Sequence, residues 1–254
     1  MQEIAFSSRG YLVHGWAHSP AGARRAPAIA LCHGFTGNCS EHGLFVEFAE
    51  RAAQAGFYAL RFDCVGSGES AGDFAEDTYL SGWCADILAA LDFAAAQPGV
   101  DANRMGTMGI SMGAGAALLA ARAARVKAAA GWAPVLYPDE VFRKIMGVDK
   151  WALLQKGQSI HHAYAGEEFD VGPRFAMDAE TLSIEQSVRT CGKPILLRLG
   201  TADQVIDKAH GDRLRALSVP DMEVQMVQGE DHGFLIHMQQ NIEQTIAFFA
   251  KQFL

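Results

Sequence analysis

Short apolar runs alternate with longer amphipathic ones along most of this 254-residue chain, and that alternation limits the folds open to it. An apolar run of four to eight residues suits a strand buried on both faces, while apolar residues every three or four positions suit a helix. Residues 11–17 (YLVHGWA), 28–32 (AIALC), 57–62 (FYALRF), 104–110 (RMGTMGI), 126–133, 194–199 (PILLRL) and 222–227 (MEVQMV) read as strands. Helical spacing covers 42–55, 76–97, 112–124, 208–217 and 238–252, with Gly56 and Pro98-Gly99 as stops. Strand followed by helix, repeated, predicts a mostly parallel sheet with helices on both faces. The alternation lapses between 135 and 188, where Pro138, Pro173 and the run HHAYAGEEFD intervene. That stretch reads as an insertion into one domain made of residues 1–134 and 189–254.

The strongest chemical signal is Gly109-Ile110-Ser111-Met112-Gly113, placed where the strand RMGTMGI runs into the helix MGAGAALLAARAA. A serine on so sharp a strand-to-helix turn is held in a strained conformation, and the turn needs small residues two positions either side. A serine hydroxyl needs a base, and the base an orienting acid. The strand PILLRL ends in Gly200-Thr201-Ala202-Asp203, and MEVQMV ends in Gln228-Gly229-Glu230-Asp231-His232-Gly233. Asp203 and His232 therefore fall on the rim where strands end, the same rim as Ser111. Asp207 and Asp231 are rival acids. Asp207 reads instead as the first residue of the next helix, and Asp231 adjoins the base too closely to reach its Nδ1.

An acyl-transfer site also needs N–H donors for an oxyanion. The Met112 N–H at the helix start is one, and the Phe35 N–H in His33-Gly34-Phe35-Thr36-Gly37, just after AIALC, is the other. His33 reads as a buried imidazole that holds this loop. Gly66-Ser67-Gly68 follows a strand but lacks the third glycine and the acidic partner of a dinucleotide site, so it reads as a turn. His161-His162 are adjacent and diverge, and no HExxH or Cys/His cluster accompanies them, so neither a metal nor another cofactor is expected.

Composition narrows the partners. The chain has 21 Lys+Arg against 29 Asp+Glu, a formal charge of −8, with no basic run. That argues against nucleic acid and against anionic membranes. No stretch of about 18 apolar residues occurs, and MQEIAFSSRGYLVHGW lacks the layout of a secretory signal. Five cysteines, an odd number without a CxxC pair, fit free thiols in a reducing cytoplasm. Self-association into a homodimer stays open.

Taken together, HGFTG at 33–37, RFDCVGSGES at 61–70, GISMG at 109–113, GTADQVI at 200–206 and EDHGF at 230–234 resemble the serine α/β-hydrolases over nearly the full chain. Within that superfamily the chain is most similar to the cinnamoyl/feruloyl esterase group, with dienelactone-hydrolase-like proteins next. The resemblance implies the α/β-hydrolase fold: a mostly parallel eight-stranded sheet, helices on both faces, and residues 135–188 as a small lid. It implies Ser111 as nucleophile, His232 as base, Asp203 as orienter, and Phe35 and Met112 as oxyanion donors. The esterase elbow G-H-S-Q-G-G departs here at Ile110, Met112 and Ala114, which makes that wall of the pocket more apolar. Phe35, Trp132, Trp151, Tyr164 and Phe234, with Phe169, are the expected pocket aromatics. The expected activity is hydrolysis of small acyl or aromatic esters through an acyl-enzyme. Thioester hydrolysis, peptide hydrolysis and a non-catalytic binding role of the same fold are the alternatives.

Overall fold

The computed structural model describes residues 1–22, 25–164 and 166–254. The chain opens with β1 (Gln2–Ser8) and β2 (Tyr11–His18), an antiparallel pair joined through Arg9 and Gly10. Both turn residues have positive φ, 50° and 85°, as a two-residue hairpin turn between right-twisted strands requires. β1 is a strand that the apolar runs did not reveal. Its side chains alternate between exposed and buried, so QEIAFSS has no continuous apolar stretch.

There follow β3 (Ala26–Cys32), α1 (Leu44–Gln54), β4 (Tyr58–Phe62), α2 (Phe74–Asp77), α3 (Leu80–Ala95), β5 (Val100–Ile110), α4 (Met112–Ala120) and β6 (Val126–Trp132). Helical spacing over 76–97 predicted one helix; the structure has two. Arg9 donates to the Asp77 carbonyl, and the Ser81 N–H donates to Asp178 Oδ2 at 2.9 Å. The two groups that would have closed the helix bond across Thr78-Tyr79 are thus taken by other parts of the chain.

Residues beyond β6 form α5 (Pro138–Met146), α6 (Val148–Gln155), β7 (Ile160–Tyr164), β8 (Glu167–Val171), α7 (Pro173–Thr181) and α8 (Ile184–Thr190). Among the described residues, β7 and β8 pair only with each other. The chain then returns with β9 (Ile195–Gly200), α9 (Lys208–Ala216), β10 (Met222–Val227) and α10 (Met238–Phe253).

The main sheet has eight strands in the order β1-β2-β4-β3-β5-β6-β9-β10, antiparallel at β1–β2–β4 and parallel thereafter. Every residue of β3, β4 and β9 is buried. A strand buried along its whole length must be covered on both faces, which explains the unbroken apolar runs. α1 packs with α10, and α3 packs with α4, as two groups of covering helices. The loops after β3, β5, β9 and β10 all leave carboxyl ends of parallel strands, so they gather on one rim.

Candidate active site

Ser111 sits between the last residue of β5 and the first of α4, with φ 54° and ψ −119°. Such a backbone costs an L-residue about 1–3 kcal/mol and persists only where its surroundings impose it. Here the Ser111 N–H donates to the Trp132 carbonyl at 2.9 Å, and its carbonyl accepts from Ala114, Gly115 and Val135. The flanking glycines are steric requirements. A Cβ on Gly113 would fall on the carbonyls of Cys32 and His33, and one on Gly109 would meet the backbone of Gly113. Among the described residues, six of the nine non-glycine positions with positive φ (Thr36, Glu41, His42, Ser111, Ala133 and Phe234) lie in the loops around this serine. Backbone strain is therefore concentrated at the rim rather than spread through the chain.

The Ser111 hydroxyl lies 3.0 Å from His232 Nε2, and His232 Nδ1 lies 2.9 Å from Asp203 Oδ2. With Nδ1–H donating to the carboxylate, Nε2 is left to accept from the serine. The Asp203 side chain is fully buried, and its Oδ1 accepts from the Val205 and Ile206 N–H groups at 2.7 and 2.8 Å. Asp207 instead caps α9 through the Ala209 and His210 N–H groups, and Asp231 accepts from Gly233 N–H.

Glu230 is a residue that the sequence analysis did not single out. It is fully buried and accepts from the Ile236 and His237 N–H groups at 3.0 and 2.9 Å and from Asn241 Nδ2 at 2.8 Å. Asn241 in turn accepts from Arg198 Nη2 at 2.8 Å. The His232 loop is thereby strapped to the start of α10, and an arginine on β9 offsets the buried carboxylate. Burial also lowers the tendency of Arg198 to hold its proton, with Glu223 and Glu230 opposing that shift. No spacing motif marks Glu230; only burial reveals it.

The loop after β3 is pinned from three sides. His33 Nε2 accepts from Cys64 N–H at 3.0 Å, so Nδ1 carries the proton and donates to the Gly34 carbonyl at 2.8 Å. The Gly37 N–H donates to the same carbonyl at 3.0 Å, and the Gly34 N–H donates to Glu41 Oε2 at 2.8 Å. Phe35 N–H shares a planar peptide unit with the Gly34 carbonyl, so fixing one fixes the other, pointing the opposite way. Among the described residues, neither Phe35 N–H nor Met112 N–H is donated to a protein acceptor.

Ser111 and His232 open onto a cavity of about 470 Å³. Its lining is polar where the loop after β3 contributes (Thr36, Asn38, Ser40, Glu41, His42) and apolar where Phe142, Ile145 and Tyr164 contribute, and Glu167 lines it as well. Burial and the nearby Asp203 charge raise the Tyr164 phenol, so it stays a hydroxyl at neutral pH. Of the aromatics singled out in the sequence, Phe35 and Tyr164 line this cavity. Trp132, Trp151 and Phe234 do not. Trp132 and Phe234 stack on one another at 5.2 Å with no exposed surface. Trp151 is buried against Phe175 and donates to Glu180. Phe169 packs on Phe35 behind the wall. These rings are large enough to be packed in the core, and the sequence carries no sign of which side of a wall a ring occupies. Phe142 and Ile145 replace them, from the buried side of α5.

Among the described residues no group of three or more His, Cys, Asp or Glu is gathered as metal ligands, and no helix is long and apolar enough to cross a membrane.

The model of the Hydrolase_4 family, described as serine aminopeptidase, S33, matches residues 23–167. The chain is an α/β hydrolase of this family. Among curated proteins, the hydrolase is 25% identical to the uncharacterized protein YfhR of Salmonella typhimurium over 235 residues, 91% of this chain and 74% of that one. Among solved structures it is similar to Est1E of Butyrivibrio proteoclasticus with ferulic acid bound, at TM-score 0.81 and 22% identity over 98% of both chains. The esterase domain of a Rhodothermus marinus protein matches at TM-score 0.74 and 23% identity, over 98% of this hydrolase and 96% of that chain. At those identities the structural likeness is one of fold.

Proposed function

We propose that this hydrolase is a serine carboxylesterase acting on small acyl or aromatic esters. The observation that carries the reading is the hydrogen-bonded line Ser111–His232–Asp203 opening onto a cavity. In this reading His232 takes the Ser111 proton as the hydroxyl attacks the acyl carbon. The charge that develops on the carbonyl oxygen is met by the Phe35 and Met112 N–H groups, and the α4 N-terminus adds a positive dipole end. His232 then protonates the departing alcohol. Water, deprotonated by the same imidazole, attacks the acyl-enzyme and releases the acid.

The cavity's two faces favour an ester with one apolar and one polar side. The apolar portion would lie on Phe142, Ile145 and Tyr164, and the polar portion on Thr36, Asn38 and Ser40. Among the described residues no Lys or Arg lines it, while Glu41 and Glu167 do, so a substrate carrying a carboxylate is disfavoured and a released carboxylate is not retained. Residues 135–188 act as the lid that supplies the apolar face. The likeness to Est1E with ferulic acid bound supports an aromatic acyl group.

Peptide-bond cleavage is the second reading, favoured by the description of the family model. The test is a kcat/KM panel across acetyl, butyryl, octanoyl and feruloyl esters, a butyryl thioester and an aminoacyl anilide. Esters turned over best, with Ser111→Ala inactive and unlabelled by a fluorophosphonate, is the expected result. A preference for the anilide would replace the esterase reading by the peptidase one. A fully active Ser111→Ala would end both.

A further inference from the structure

We propose that the lid sets the oxyanion hole: Phe142, Phe169 and Phe175 are positioning residues that hold the Phe35 N–H on target by caging the Phe35 ring. This rests on the reading of Ser111 as nucleophile. The loop His33–Gly37 has little stiffness of its own, with glycines at 34 and 37 and a positive φ of 64° at Thr36. Phe35 is its one large apolar side chain, and that ring is buried, 8% exposed.

The Phe35 ring centroid lies 5.2 Å from Phe142, 5.3 Å from Phe169 and 5.3 Å from Phe175, all in segment 135–188, and 5.5 Å from Phe74 on α2. The cage is itself cross-braced: Phe142 meets Phe175 at 4.7 Å, and Phe74 meets Phe169 at 5.3 Å. Rings around a ring leave no second rotamer free, so the Phe35 Cα is fixed. The other end of the peptide unit is held at the Gly34 carbonyl by His33 and Gly37. Between these anchors the N–H direction is determined.

The cage does not swing freely. Arg174 lies over the Tyr79 ring at 3.8 Å, Asp178 accepts from Ser81, and the Gly172 N–H donates to the Ala75 carbonyl at 2.9 Å. Arg213 on α9 reaches Glu140 on α5 at 2.7 Å. A segment fastened at this many points can act as a fixed jig for the catalytic loop as well as a wall for substrate.

The distinguishing substrate is p-nitrophenyl acetate, whose acyl group is too small to be gripped by the lid. Phe169→Ala is expected to lower its kcat by roughly 10–30-fold while KM stays within about threefold, because a displaced donor is missed only in the transition state. Affinity for methylboronic acid, whose tetrahedral adduct places an oxygen in the hole, falls by a similar factor. Phe175→Leu, which keeps most of the volume, gives a smaller loss in the same parameter if Phe169→Ala is poorly folded. In a Phe35→Ala background, Phe169→Ala adds nothing further, since the ring it acts through is gone. Acetate kcat retained within twofold in both lid variants overturns the proposal, as does full additivity with Phe35→Ala. An active Ser111→Ala instead fells the parent reading. An inactive Ser111→Ala with unchanged lid variants fells the inference alone.

Discussion

Two regions meet at the cavity and are built by different means. The strand-end loops carry Ser111, Asp203 and His232, and each is fixed by backbone hydrogen bonds: Ser111 through Trp132, Asp203 through Val205 and Ile206, the His232 loop through Glu230. Segment 135–188 carries the apolar wall, and side chains from distant parts of the sequence hold it: Ser81 on Asp178, Arg213 on Glu140, the rings around Phe35. Backbone hydrogen bonds are directional and short in range, so they place atoms accurately. Aromatic packing tolerates shape changes and so lets a wall vary while the scaffold persists. The first region carries the hydrogen-bonded line Ser111–His232–Asp203; the second carries the apolar lining and the rings around Phe35.

That division can be broken most decisively at Ser111. Ser111→Ala is expected to lower kcat/KM on p-nitrophenyl acetate by at least about 10⁴-fold with an unchanged circular dichroism spectrum. A loss of comparable size from Tyr164→Phe or Ile145→Ala would show that the wall shares the chemistry.

Glu230→Ala comes next. It leaves the Ile236 and His237 N–H groups and Asn241 without their acceptor, so kcat should fall roughly tenfold and stability by about 1–3 kcal/mol, read from steady-state kinetics and urea unfolding. Unchanged kcat would mean that the His232 loop holds itself. Ile145→Ala and Tyr164→Phe should shift KM by only a few-fold, and more for feruloyl than for acetyl esters. Equal shifts for both esters would place these side chains outside the acyl site.

The last effect concerns the scaffold alone and leaves the rate untouched. His18 on β2 is buried beside Arg61, and desolvation first, then the guanidinium charge, lowers its pKa to about 4. The folded state thus binds fewer protons than the unfolded state between roughly pH 6.5 and 4, and stability is lost as pH falls through that window. The contribution is on the order of 2 kcal/mol, or about 4–8 °C in Tm for a chain of this size. His18→Gln, which keeps an acceptor for Arg61 Nε, should flatten the Tm profile over that range. An identical profile removes His18 as the cause.

The parallel part of the sheet was legible because buried strands leave continuous apolar runs, as in AIALC and PILLRL. β1 was not, because its pattern has period two, and the Thr78-Tyr79 break was not, because its causes, Arg9 and Asp178, lie far off in sequence. That Asp203 and His232 fall on one rim with Ser111 was legible from their places after strands, and the structure brings the three within hydrogen-bond distance. Glu230 lies in the same loop as His232, yet nothing local distinguishes a buried carboxylate from a solvated one.

The pocket makes the contrast sharpest. Tyr164 and Trp151 both come from segment 135–188 and read alike as aromatics near a site. One lines the cavity and the other is sealed against Phe175. The sequence by itself determined the parallel sheet, the elbow and the placing of Ser111, Asp203 and His232 after strands, because these follow from local periodicity, glycine sterics and the rule that loops follow strands. Only the tertiary structure decided which aromatic rings line the cavity, which carboxylate straps the His232 loop, and what surrounds Phe35. Those depend on contacts between residues distant in sequence, and no local pattern encodes which neighbours will arrive.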